Sequence, residues 1–173
     1  MSLQQTRSDI FSVTAVGAGR RETVGFRVGK QAFCIDITSV LEIRGWTPTT
    51  PVPHSPPYMK GVVNLRGSVL PIIDLAARLG LPTTEPSARH AIMVARCGGR
   101  TVGLLVEEVS DIVQLDDKDR QATPDVGQGR GEDVIAGIFA VDGDMISMLD
   151  LANLLPPHRS QSTDEAVEAF AAA

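Results

Sequence analysis

A chain of 173 residues, 43% hydrophobic and 21% charged with a net charge of −5, has an ordinary globular makeup and can bury about 70% of the surface it exposes when unfolded. The acidic balance argues against binding nucleic-acid phosphates, and no apolar run approaches the roughly 18 residues of a membrane-spanning helix. The start, MSLQQTRSDIFSV, lacks the basic and apolar segments of a secretory signal, so a cytoplasmic protein is expected.

Taken in order, residues 1–21 are polar and glycine-containing and read as a loose arm. VGKQAFCIDITSVLEI, Val28 to Ile43, reads as strand, glycine turn, alternating strand and a short amphipathic piece. Trp46 to Tyr58 carries five prolines, which interrupt any ladder or helix and stiffen an extended crossover. A Pro-rich ligand for another domain is the sharper reading, and it requires a free-standing loop. Gly61 to Leu79, GVVNLRGSVLPIIDLAARL, reads as strand, tight glycine turn, strand, then a helical turn opened by Asp74. Leu81 to Ser87, with Pro82 and Pro86, joins this unit to the next.

The second unit, about 89–157, opens with the strands AIMVARC and TVGLLVEEV joined at Gly98-Gly99, a hairpin signal. A glycine-rich, charged stretch follows from Asp116 to Asp133, and then Gly137 to Leu155, GIFAVDGDMISMLDLANLL. In the tail, Ser162 and Glu165 form a capping-box candidate ahead of an alanine-rich run.

The two units are one design stated twice. Displaced by 76 positions, Gly61, Gly67, Asp74, Leu75, Ala76 and Leu79 fall on Gly137, Gly143, Asp150, Leu151, Ala152 and Leu155. Displaced by 69, Val28 to Ile43 falls on Cys97 to Ile112. Two copies of about seventy residues are too few and too long for a solenoid, and suggest paired small β units.

Asp74 and Asp150, at equivalent positions, are the candidates for an acid/base pair in a hydrolase. Each follows an apolar strand and precedes a helical turn, where a carboxylate caps free N–H groups, and capping is the expected role. Gly127-Gln-Gly129-Arg-Gly131 lacks the strand and the Gly-Lys-Ser/Thr ending of a phosphate loop, and no nucleophile motif is present. Three histidines and the unequally placed Cys34 and Cys97 show no zinc spacing, and the thiols are expected to be buried apolar residues. No catalytic residue, metal, cofactor or small-molecule substrate is expected. Gly103 inside a strand marks either the approach of a partner backbone or a bend of the sheet. Arg66, in a turn whose counterpart is Asp142, is either a solvated charge or a fork for a partner carboxylate. Val40 and Ile43, with Glu42 beside them, suit either core or contact. These features fit a docking module, including a general peptide-binding β module.

CIDITSVLEIRG, YMKGVVNLRGSVLPIIDL and TVGLLVEEVSDI, in this order and spacing, resemble the CheW-like family of bacterial chemotaxis coupling proteins. The resemblance covers about 22–157 and implies an all-β fold of two pseudo-symmetric five-stranded Src-homology-3-type barrels around a shared apolar core, with short helices. The first barrel would occupy about 22–81 and the second about 89–157, with the C-terminal part crossing back to the first, and 158–173 would be a tail. It further implies a non-catalytic adaptor between the cytoplasmic tips of methyl-accepting chemoreceptors and the regulatory domain of the histidine kinase CheA. Receptor contact is implied for Ile37, Val40, Val102, Gly103 and Val109, and kinase or receptor coupling for Glu42, Ile43 and Arg66. Gly61, Gly67 and Gly143 would shape the hairpins. Where family members can carry a basic and an aromatic residue for a second kinase contact, this chain has Gln121 and Val126.

Overall fold

The computed structural model describes residues 19–83, 85–122 and 134–156. The first copy supplies β1 (Arg20–Val28), β2 (Gln31–Asp36), β3 (Val40–Gly45), β4 (Met59–Leu65), β5 (Ser68–Asp74) and helix α1 (Leu75–Leu79). The second supplies β6 (Ala91–Cys97), β7 (Arg100–Val106), β8 (Glu108–Asp116), β9 (Arg120–Gln121), β10 (Ile135–Val141), β11 (Asp144–Leu149) and α2 (Leu151–Leu154). The tail capping box and the 127–131 glycines lie outside the described residues.

The strands form two sheets, ordered β8-β1-β2-β11-β10-β9 and β3-β6-β7-β5-β4. The sequence boundary near 81–89 therefore does not separate them. Each sheet takes the first hairpin of one copy and all the remaining strands of the other, β3, β4 and β5 in one case and β8, β9, β10 and β11 in the other. The reason is local. After β2, Asp36 caps a single 3-10 turn over Ile37–Ser39, and this turn leads the chain into β3 of the other sheet. After β7 the chain passes through Glu107 into β8 and crosses back. Parallel pairing then joins the copies: β5 runs beside β7 with Ile72 opposite Gly103, and β11 beside β2 with Met148 opposite Cys34. These two registers are the same contact seen through the 76 and 69 displacements.

Hairpin turns explain the sharp reversals. Arg66-Gly67 and Asp142-Gly143 take positive φ at both central positions (52° and 86°, 50° and 83°), the primed geometry that matches strand twist. Gly61 and Gly137 sit at equivalent bulges of β4 and β10. At Gly61, φ is 146° and a Cβ would collide with the Thr50 carbonyl oxygen. The Pro-rich crossover is tied down there, because Thr50 and Val62 exchange both backbone hydrogen bonds at 2.9 Å, and Trp46 at its start packs on the sheet interior. It is a pinned strap linking β3 to β4, the two edges of one sheet.

Apolar side chains divide among three clusters. Leu70, Ile72, Ile92, Val94 and Leu105 form a cluster on one face of the five-stranded sheet, while Cys34, Leu115, Phe139 and Met148 form one on the six-stranded sheet. The largest cluster lies between the sheets and draws on both, with Phe26, Phe33 and Ile35 from one, Met93, Val102 and Leu104 from the other, and Leu75, Leu151 and Leu154 from the helices. The alternation of β6 shows how one strand serves two cores: Ile92 and Val94 face one cluster, Met93 and Ala95 the other.

Gly103 is explained by this packing. A Cβ there would lie 2.5 Å from Ile72 Cδ1 and 2.8 Å from Ile92 Cγ2, so the missing side chain makes room for two isoleucines inside the sheet. Gly103→Ala should cost about 1–3 kcal/mol by overpacking, and adding Ile72→Val, which removes the clashing Cδ1, should restore much of it. Urea unfolding of the four chains measures this coupling. Additive losses would show that the glycine is there for another reason.

Candidate functional site

The two aspartates act as local caps. Asp74 is buried at the end of β5 and its Oδ1 accepts from Ala77 N–H at 3.4 Å. Asp150 accepts from Ala152 N–H at 3.0 Å and from the Asn153 amide at 2.8 Å. Their backbones also match, since Asp74 N–H donates to Tyr58 O and Asp150 N–H to Val134 O, both at 2.7 Å. A cavity of about 350 Å3 lies beside Asp150, and Asp74 is not in its wall. Nothing brings the two carboxylates onto a common substrate position. The thiols are equally unsuited to chemistry. Burial pushes Cys34 and Cys97 up to about 11, so both stay protonated at neutral pH.

The residues implied for receptor contact fall into two sets. Ile37, Val40 and Val109 are half-buried against the shared core. They sit where the chain passes between sheets: Ile37 in the turn after β2, Val40 opening β3, and Val109 near the start of β8. Val40 pairs with Ala95 and Val109 with Phe26, the same register 69 positions apart. The turn holding Ile37 is fixed by Asp36, whose Oδ1 accepts from Thr38 N–H at 2.8 Å and from its hydroxyl at 2.6 Å. Val102 and Gly103 differ from these three, because Val102 is 2% exposed within the shared core and Gly103 is enclosed between β6 and β5. They are the interior beneath the seam.

Glu42, Ile43 and Arg66 form one surface. Arg66 Nη2 lies 2.8 Å from Glu42 Oε2, and Arg44 Nη1 lies 3.2 Å from Glu42 Oε1. The Arg66 hydrogen bond, aided by the charges of Arg66 and Arg44, holds the Glu42 carboxyl below its ordinary range. Because β3 and β4 are opposite edges of the five-stranded sheet, an ion pair from the β4–β5 turn to β3 closes the curl of that sheet across its seam. Arg66 and Gly67 stand exposed at the tip, and the Arg66 side chain retains 75% of its exposure. Ile43 is 48% exposed beside them.

Several surface residues escaped periodicity because they interrupt it. Val69 (73% exposed) and Met145 (55%) are equivalent at the 76 displacement, as are Ile43 (48%) and Ile112 (53%) at 69. Overlaying the copies and asking which apolar positions recur on the polar face of a strand would have found them. At the six-stranded sheet these residues border an open cavity of about 850 Å3, with Asp111 and Asp142 in its wall. Gln121 lies exposed on β9, opposite Ile138, and Val126 lies outside the described residues. Two arginines tie the segment around α2 to the fold: Arg78 Nε donates to Leu154 O, and Arg100 Nη2 to Pro156 O at 2.7 Å.

The family profile of the CheW-like domain matches residues 22–157. "Chemotaxis protein CheW" of Rhizobium meliloti is 49% identical over 144 residues, spanning 83% of this chain and 93% of its own length. "Probable chemotaxis protein CheW" of Rhizobium etli is also 49% identical, over 88% of this chain and 98% of its own. Among solved structures, the scaffolding protein TtCheW from Thermoanaerobacter tengcongensis superposes with a TM-score of 0.71 at 28% identity, covering 78% of this chain and 91% of that one. With its duplicated sheets, shared core and seam residues on a matching frame, the chain belongs to the CheW-like domain family.

Proposed function

We propose that this chain is a chemotaxis adaptor coupling methyl-accepting chemoreceptors to the histidine kinase CheA, and that it works by contact and not by chemical transformation. The supporting observation is the match of the whole 22–157 domain to the family, on a fold in which Asp74 and Asp150 are spent as caps and both thiols are buried. Receptor contact would fall on the seam at Ile37, Val40 and Val109, with Val102 and Gly103 shaping the floor beneath. An apolar helix face laid along that seam gains affinity from burial. The kinase regulatory domain would meet the exposed end formed by Glu42, Ile43, Arg66 and Val69. Such binding recruits the chain to membrane receptor clusters. Signal passes only when receptor states differ in their contacts with the adaptor or its attached kinase.

A reconstituted kinase assay tests the role directly. Receptor fragments should control kinase activity only when this chain is present, and the absence of a ternary complex at micromolar concentrations would end the proposal. Arg66→Glu should weaken partner association by about tenfold, a typical cost for one charged contact at an interface, with little change in melting temperature because the side chain is largely exposed. A large loss of thermal stability would instead make Arg66 a folding residue.

The lowered Glu42 carboxyl has a measurable sign. A depressed folded value means that the pair stabilises above the unfolded value, and that the contribution is lost as pH falls through the folded one. Carboxyl NMR should show Glu42 titrating below the ordinary glutamate range, and Arg66→Ala should raise its midpoint. An unmoved midpoint would mean that the pair does not form in solution.

A further inference from the structure

The two sheets share a backbone but close their seams differently. In the five-stranded sheet, Arg66 of the β4–β5 turn binds Glu42 of β3 at 2.8 Å. At equivalent positions the six-stranded sheet carries Asp142 in the β10–β11 turn and Asp111 on β8, identified by Asp142 falling on Arg66 and Ile112 on Ile43. The cation of the pair is therefore replaced by a second carboxylate. Instead of a closed seam there is an open cavity of about 850 Å3 with both aspartates, and Asp144 beside them, in its wall. Neither has an ion-pair or hydrogen-bond partner among the described residues. Arg27 and Lys30 also line the cavity, and neither lies within ion-pair distance of these carboxylates. At the rim, Ile112 and Met145 are more than half exposed, so apolar surface and unpaired acceptors face the same opening.

We infer that this seam takes an arginine side chain, flanked by apolar residues, from the regulatory domain of the partner kinase. The inference rests on the coupling role proposed above. Charge complementarity identifies the occupant. Two carboxylates with free lone pairs suit the fork of a guanidinium, and the chain's own other seam holds that pairing in the same backbone setting. The apolar rim suits the stem of the arginine and the residues beside it, since long cationic side chains bury their methylenes while the head stays polar. Partner binding supplies from outside the group that the first copy carries within.

The test converts the open seam into the closed one. Asp142→Arg should create an internal pair with Asp111 and weaken binding of the kinase regulatory domain at least tenfold by occupying the site. Asp111→Asn/Asp142→Asn should weaken the same binding about tenfold, remove part of its salt dependence, and leave receptor-fragment binding unchanged. Both variants alter exposed positions, and circular dichroism melts confirm that they fold. Wild-type kinase affinity in either variant overturns the inference. A wild-type chain that itself fails to bind the kinase domain locates the failure in the coupling role, and overturns the assignment of the arginine to that kinase.

Discussion

Neither sheet can be completed by one copy of the repeat. The hairpin β1–β2 finds its neighbours in β8 and β11, and β6–β7 finds its own in β3 and β5. Every sheet therefore contains pairings between residues far apart in the chain, such as Thr23 with Val113 or Ile72 with Gly103. Such pairings carry a loop-closure cost that only extensive burial offsets. The shared cluster supplies that burial, because the faces it covers would be exposed on either half alone. Exchange and core are thus one constraint, and the seam between sheets exists because the chain must cross it twice.

Much of this was legible. The 76 displacement located the hairpin, the capping aspartate and the helical turn together because each has a local chemical signature: glycine for positive φ, a carboxylate for free N–H groups, apolar residues behind. What alternation cannot show is which strand lies beside which, so the reading of 22–81 and 89–157, with its C-terminal part crossing back, named no strand that pairs between the copies. The crossing depends on the short turn at Ile37–Ser39, whose signature is a single aspartate. Gly103 was ambiguous for a similar reason. A glycine in a strand reports crowding, but only the positions of Ile72 and Ile92 reveal that the crowding is internal.

Equivalent positions show how duplicated interiors diverge while keeping their volume. Gly103 opposite Ile72, with Ile92 nearby, corresponds to Cys34 opposite Met148, with Thr23 nearby. One core places the bulk on β5 and β6 and nothing on β7. The other spreads it over intermediate residues, and Thr23 satisfies its hydroxyl by donating to Val113 O at 2.8 Å. Such compensated exchanges are tolerated because total volume and burial stay fixed. Interiors therefore keep the correspondence of the two halves more faithfully in shape than in identity.

Surfaces obey no such conservation of volume, and there the two halves are free to differ. A turn residue changed from arginine to aspartate leaves the hairpin unaltered, since both occupy the same positive-φ position, yet it reverses the charge presented to a partner. An adaptor profits from this separation. The crossings lock both ends to one core, so a displacement of either end would have to repack the shared interior, and close-packed interiors resist continuous deformation. The two ends can consequently offer different contacts while remaining mechanically one body. Geometry imposed on one partner is then transmitted to the other without a hinge inside the adaptor, and any change of state must arise in the molecules it holds or in the contacts at its surface.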